Sequence, residues 1–118
     1  MRIRRGDVLI ADFPHATGTQ TTRRPVLVVQ ADYYNQRIHN VVIALVTTNL
    51  RNARDPAHFL IDVSTPEGQQ SGLSRDSVVS CINLVTVYED RIVRRIGALS
   101  TQAMLEVDKC LKAGLGVP

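Results

Sequence analysis

Arg23 and Arg24 stand side by side, between the polar stretch Thr17-Gly18-Thr19-Gln20-Thr21-Thr22 and the apolar run Pro25-Val26-Leu27-Val28-Val29. A guanidinium grips a phosphate through two parallel hydrogen bonds and keeps its charge throughout the physiological range. A residue before proline is held in extended backbone, so Arg24 is restrained at the entrance of a strand. The chemistry this suggests is recognition or cleavage of a phosphodiester, with RNA as the first substrate to consider. The competing account of Arg24 is a solvated strand-end residue in a surface ion pair. Arg23 offers the same chemistry, but neighbours in a strand point to opposite faces, so one of the two should face a site.

Other polar groups follow. Thr47, Thr48 and Asn49 end a long apolar run. The hydroxyls of Thr47 and Thr48 suit a phosphate oxygen or a ribose hydroxyl, though threonine is also a common strand residue. Thr17, Thr19, Thr21 and Thr22 surround Gly18, which fits either a loop closing over a single strand or an inert hairpin loop. The spacing lacks the Gly-x-x-x-x-Gly-Lys pattern of a phosphate-cradling loop. His15 adjoins this loop as a candidate base or a solvated residue, and His39 and His58 lie in or beside other loops. Arg75-Asp76-Ser77 precedes another apolar run, where Asp76 is expected to satisfy turn amides. The spacing suggests no Ser-His-Asp or Cys-His arrangement and no metal-binding cluster. Cys81 and Cys110 read as small core residues.

The elements that must hold these groups are mostly strands. Residues 8–13, 26–30, 40–48, 59–63 and 77–87 are predicted strands, with a short further piece over 92–96. Residues 41–46 are near-continuously apolar and β-branched, as in a strand buried on both faces. The run over 77–87 is long enough to bend around a small barrel. Turn-rich connections fill 49–58 and 64–72. The period then changes: Ser100 is placed to cap a helix, Met104, Val107, Cys110 and Leu111 recur at helical spacing, and Gly114 is placed to end it. Short strands separated by turn signals indicate a small β-barrel with a C-terminal helix, as a single domain over 1–118.

Composition agrees with that class. The chain has 118 residues, is 44% hydrophobic and has no tryptophan, so Val, Ile and Leu fill the core. The net charge is +3, and of the 14 cationic residues just Lys109 and Lys112 are lysines. Arginine predominance fits bidentate phosphate contacts, and it equally fits a genome rich in G and C. No signal-type apolar h-region follows the N-terminal charges, and no run reaches the roughly 18 residues of a membrane span. A cytoplasmic protein with reduced thiols and no cofactor is expected.

Taken in order, several segments resemble the MazF/PemK family of toxin endoribonucleases. They are Arg5-Gly6-Asp7-Val8 through Phe13-Pro14, Arg24-Pro25-Val26-Leu27-Val28-Val29, Val46-Thr47-Thr48-Asn49, Ser71-Gly72-Leu73-Ser74-Arg75-Asp76-Ser77-Val78-Val79, and Arg95-Ile96-Gly97-Ala98-Leu99-Ser100 with the helix and Leu115-Gly116. The resemblance implies an SH3-like barrel with a C-terminal helix, working as a homodimer. It implies a ribosome-independent cut in single-stranded RNA at a short sequence, with Arg24 and Thr47 catalytic; because RNA carries its own 2′-hydroxyl nucleophile, the cut is expected to need no metal. Thr19 falls where a loop hydroxyl can assist, and Arg23, Thr48, Asn49 and Arg75 are candidate substrate contacts. It also implies an antitoxin whose acidic, disordered tail folds across the basic surface. The chain departs from the family pattern on the later strand. Ser80 and Ile82 stand where some relatives carry an arginine and an acidic residue, and Asn83-Leu84-Val85-Thr86 stands where many carry Gln-x-Arg-Thr. The alternatives are a gyrase-binding toxin of the related CcdB type and a non-catalytic nucleic-acid-binding barrel.

Overall fold

The structure, a computed structural model, describes residues 1–14 and 20–118. Strands β1 (Asp7–Pro14), β2 (Thr21–Val28), β3 (Asn40–Thr47), β4 (His58–Ile61), β5 (Ser77–Tyr88) and β6 (Ile92–Ala98) form one antiparallel sheet. Their order is β4-β5-β3-β2-β1-β6, and the sheet curls into a half-barrel. Helices α1 (Asp32–Asn35) and α2 (Pro66–Gln70) lie in the connections, and α3 (Thr101–Leu115) closes the chain. The mainly-β expectation with a C-terminal helix holds. No helix among the described residues is long and apolar enough to cross a membrane.

Alternation divides the core between the two faces of the sheet. Val8, Leu27, Ala44, Val46, Val79 and Cys81 pack in one cluster with Ala103, Met104, Val107 and Cys110 of α3. Leu9, Ala11, Val26, Val28, Val41 and Ile43 form the other. The β3 run is therefore buried on both sides, as its composition predicts. Val107 is fully buried at the centre of the helix stripe, where such a side chain contributes about 1.5–3 kcal/mol.

Polar ties fix α3 to the sheet. Arg5 donates from Nη2 to Asp108 at 2.6 Å and from Nε to the Val29 carbonyl at 2.9 Å. The buried Asp7 carboxylate accepts from the Arg4 amide and from Arg95 Nε, each at 2.9 Å. Ser100 caps α3 as expected, its hydroxyl accepting from the Ala103 amide at 3.1 Å. Glu67 of α2 accepts from the Ser100 amide at 2.8 Å, which places a carboxylate at the positive end of α3.

Several boundaries differ from the sequence reading. β2 starts at Thr21, so Pro25 lies inside the strand. Residues 21–25 pair with β1 alone, and the β3 ladder begins at Val26, so the missing proline amide breaks no bond to β3. α3 runs past Gly114 to a cap at Gly116, which has φ 69°. Gly114 is small for another reason: a Cβ there would lie 2.7 Å from the Cys81 carbonyl oxygen. α2 occupies a segment expected to be a turn. Its start is Thr65, whose hydroxyl accepts from the Gly68 amide at 3.1 Å, followed by Pro66 in the first turn. β5 does bend: its register with β3 jumps from Ala44↔Leu84 to Leu45↔Ser80.

The C-terminal end of α2 packs backbone to backbone on β6. A Cβ on Gly97 would lie 2.3 Å from the Gln70 carbonyl oxygen and 2.4 Å from the Ser71 carbonyl. Neither neighbour is a flexible side-chain end. Gly97→Ala is expected to cost about 1–3 kcal/mol in urea unfolding, as overpacked sites do. An unchanged midpoint would remove this close approach as a constraint on the fold.

Candidate functional site

The antiparallel pairing of β2 and β3 begins at Val26↔Leu45. Two residues further along each strand stand Arg24 and Thr47. Because side chains repeat every two residues, both project from the face that carries Val26 and Leu45. On β3 and β4, Leu45 and His58 both pair with Ser80 of β5. Directly opposed residues share a face, so Ser80 and His58 join Arg24 and Thr47. These side chains, with Asn49, Asn52 and Asn83, line one cleft of about 250 Å³.

Arg24 is exposed and has no hydrogen-bond or ion-pair partner among the described residues. Other arginines are engaged, for example Arg5 with Asp108 and Arg95 with Asp7. Thr47 Oγ1 accepts from the Asn49 amide at 3.1 Å, which leaves its hydroxyl hydrogen to donate into the cleft. Asn49 Oδ1 accepts from the Arg51 amide at 3.0 Å and holds the turn after β3.

The remaining candidates sit elsewhere. Arg23 pairs with Asp12 across β1 and β2 at 3.2 Å and does not line the cleft. Thr48 and Arg75 line a second cleft of about 440 Å³, together with Pro25, Ser77 and Arg94. Pro25 and Thr48 alternate with Arg24 and Thr47, so the two clefts lie on opposite faces at one end of the sheet. Thr19, with Thr17 and His15, lies outside the described residues. Asp76 has the structural role expected of it, accepting from the Val63 amide at 2.9 Å.

One expectation is overturned. Asp55, His58 and Ser80 form a continuous Asp-His-Ser chain. Nδ1 of His58 lies 2.7 Å from Asp55 Oδ2, and its Nε2 lies 3.1 Å from Ser80 Oγ. The Asp55–His58 half is a local contact across Pro56-Ala57. The Ser80 half exists because β4 and β5 pair in this register, which residue spacing does not reveal. A histidine beginning an apolar strand, three residues after an aspartate, was the available signal.

The family description "PemK-like, MazF-like toxin of type II toxin-antitoxin system" matches residues 4–115. The chain belongs to this family. The toxin is 34% identical over 116 residues to Endoribonuclease MazF of Staphylococcus epidermidis, covering 98% of this chain and 92% of that relative. It is 32% identical over 118 residues to Endoribonuclease EndoA of Bacillus subtilis strain 168, covering 99% and 97%. Among solved structures, an endoribonuclease in complex with its cognate antitoxin from a mycobacterial species superposes with TM-score 0.76. That match has 24% identity over 98% of this chain and 97% of the other. A MazE-MazF crystal structure from Deinococcus radiodurans gives TM-score 0.76 at 20% identity, with full coverage of both chains. These two structures show the same fold.

Beside the cleft of the toxin, the His58 ring and then the Ala57 amide hold the Asp55 carboxyl below its usual range. A carboxylate depressed by folding adds stability above its unfolded pKa and loses it as pH falls through the folded value. Asp55→Asn should therefore lower the thermal midpoint most near neutral pH. The gap to wild type should close as pH drops below about 4, the ordinary carboxylate range. A gap that is constant from pH 7 to pH 3 would sink this account.

Proposed function

We propose that this toxin, an endoribonuclease of a type II toxin–antitoxin system, cuts single-stranded RNA by attack of a ribose 2′-hydroxyl on the adjacent phosphorus. The products are a 2′,3′-cyclic phosphate and a 5′-hydroxyl. What supports the reading is the convergence on one cleft of Arg24, a guanidinium with no partner among the described residues, and Thr47, a donor hydroxyl. RNA brings its own nucleophile. The protein must align it, hold the phosphate and stabilise the charge that builds on the phosphorane oxygens.

Arg24 supplies that last contribution. A preorganised donor of this kind is worth about 3 kcal/mol in a transition state. Arg24 is no base, because it stays protonated. Thr47 donates to a non-bridging oxygen and fixes the phosphate against Arg24. Asn49 borders the same cleft and contacts the nucleotide beside the cut. Thr48 and Arg75, with Arg94, hold the strand in the neighbouring cleft, and Arg23 and Thr19 are further substrate contacts. The cut is sequence-specific, needs no metal and blocks translation of mRNA in the cytoplasm. The toxin works as a homodimer, and its partner is an antitoxin whose acidic disordered tail neutralises the arginine-rich surface.

A long in vitro RNA transcript, incubated with purified toxin and mapped at its new 5′ ends, tests the reading. Wild type should cut at one recurrent short sequence, with or without EDTA, and leave an all-deoxy strand intact. Arg24→Ala should lower the cleavage rate about 100-fold or more while the fold stays intact. Cutting of the deoxy strand, or an Arg24→Ala protein of full activity, would refute the mechanism.

A further inference from the structure

The cleft wall holds a hydrogen-bond chain that neither Arg24 nor Thr47 uses. It runs from Asp55 through His58 to Ser80, and Asn83 Nδ2 donates to Ser80 Oγ at 2.8 Å. An ionised carboxylate only accepts, so Nδ1 of His58 carries the hydrogen. Nε2 of the neutral ring is then an acceptor, and the Ser80 hydroxyl donates to it. Asn83 occupies one lone pair of Ser80 Oγ. The other is open, and Ser80 lines the cleft that holds Arg24 and Thr47. The ring is 4% exposed and reaches the cleft through this hydroxyl. A histidine serving packing alone needs one partner per nitrogen. Here the second partner is a hydroxyl with a free acceptor site among the described residues, in the cleft that Arg24 also lines.

We propose that His58, acting through Ser80, takes up the 2′-hydroxyl proton in RNA cleavage, an inference that rests on the function proposed above. The 2′-hydroxyl donates to the open lone pair of Ser80 Oγ, and Ser80 passes its own hydrogen to Nε2. The 2′-oxygen forms the new bond to phosphorus. The bond to the 5′-oxygen breaks with its electron pair on that oxygen, which takes a proton from water. The imidazolium left behind faces the Asp55 carboxylate, and it returns its proton to solvent before the next turnover. Asp55 is a positioning residue: it fixes the tautomer and favours the charged ring. Ser80 Oγ then accepts from Nε2 and from Asn83, and its new hydrogen points to the 2′-oxygen it came from.

His58 is the side chain of the cleft wall that can both accept and donate a proton. Asp55 stays ionised because its carboxyl is held below the usual range. Arg24 lines the same cleft from β2, and a guanidinium keeps its charge. Burial pushes the Cys81 thiol on β5 up to about 12. Burial, with Glu106 and Asp55, also raises the Cys110 thiol of α3. Histidine is the side chain whose charge ordinarily changes between about pH 5 and 8.

The test is single-turnover cleavage of a long RNA transcript from pH 5 to 9, with each variant's fold checked by thermal melting. Wild type should gain rate with pH along a one-proton limb and then level off. Ser80→Ala keeps the Asp55–His58 contact and breaks the path to the substrate. It should lose about 100-fold in rate, the lower bound for general-base catalysis, and lose the limb, with RNA affinity unchanged. His58→Gln should behave alike, and Asp55→Asn should move the limb to lower pH. A 5′-bridging sulfur in the RNA makes the leaving group independent of protonation. It should not restore His58→Gln, and restoration would make the ring an acid and overturn the assignment. A wild type that cuts, beside folded Ser80→Ala and His58→Gln variants that keep its profile, sinks the relay alone. A wild type that cuts no RNA sinks both readings.

Discussion

The pairing of β2 with β3 is the constraint on which the rest of this molecule depends. It begins at Val26↔Leu45, inside a core where Val26, Val28 and Ile43 are fully buried. A slip of one residue would move those side chains from one packed cluster into the other, whose differently shaped packing resists the exchange. The same burial therefore fixes Arg24 and Thr47, two residues beyond the first pair. β5 extends the row, since Leu45 and His58 both pair with Ser80. The polar cleft is the continuation of the hydrophobic ladder past the point where the core ends. Its groups stand on or at the ends of strands, which are stiffer supports than loops.

Arginine is abundant here, but position separates its uses. Arg5 and Arg95 bind carboxylates that tie the termini to the sheet. Arg23 meets Asp12 at the surface, where an ion pair is worth at most about 1 kcal/mol. Arg24 differs from Arg23 by one residue and faces the other way, without a partner among the described residues. Strand alternation turns a neutral doublet into one structural cation and one available cation. Pro25 contributes by sitting where β2 has left the β3 ladder. The edge there opens into a cleft instead of continuing as sheet.

Much of this was legible in the residues. Each predicted strand exists, Ser100 caps α3, and Arg24 and Thr47 share a cleft as their resemblance to the family implied. The departures have physical reasons. Gly114 looked like a helix stop, yet its lack of a side chain serves contact with the Cys81 backbone, and Gly116 takes the left-handed turn. Thr65-Pro66-Glu67 carried the marks of a helix start and lay hidden in a turn-like composition. The Asp55-His58-Ser80 chain was invisible because half of it depends on which residue of β5 meets His58. That is a property of register, and register follows from burial across the whole sheet.

A buried histidine in an apolar sheet has to be reconciled with its surroundings. An imidazole without partners there would cost roughly 1–3 kcal/mol per unsatisfied group. His58 avoids this by engaging both ring nitrogens, and no buried polar side-chain atom among the described residues lacks a partner. The two partners are not equivalent. Asp55 can only accept, whereas Ser80 can donate to a neutral ring or accept from a charged one. The network can therefore hold one proton more or less without breaking a contact. Arg24 cannot do this, and Thr47 has no base behind it. On the mechanism proposed above, charge stabilisation and proton acceptance fall to different strands, with Arg24 on β2 and the His58–Ser80 pair across β4 and β5. The register of the sheet brings the two onto one wall.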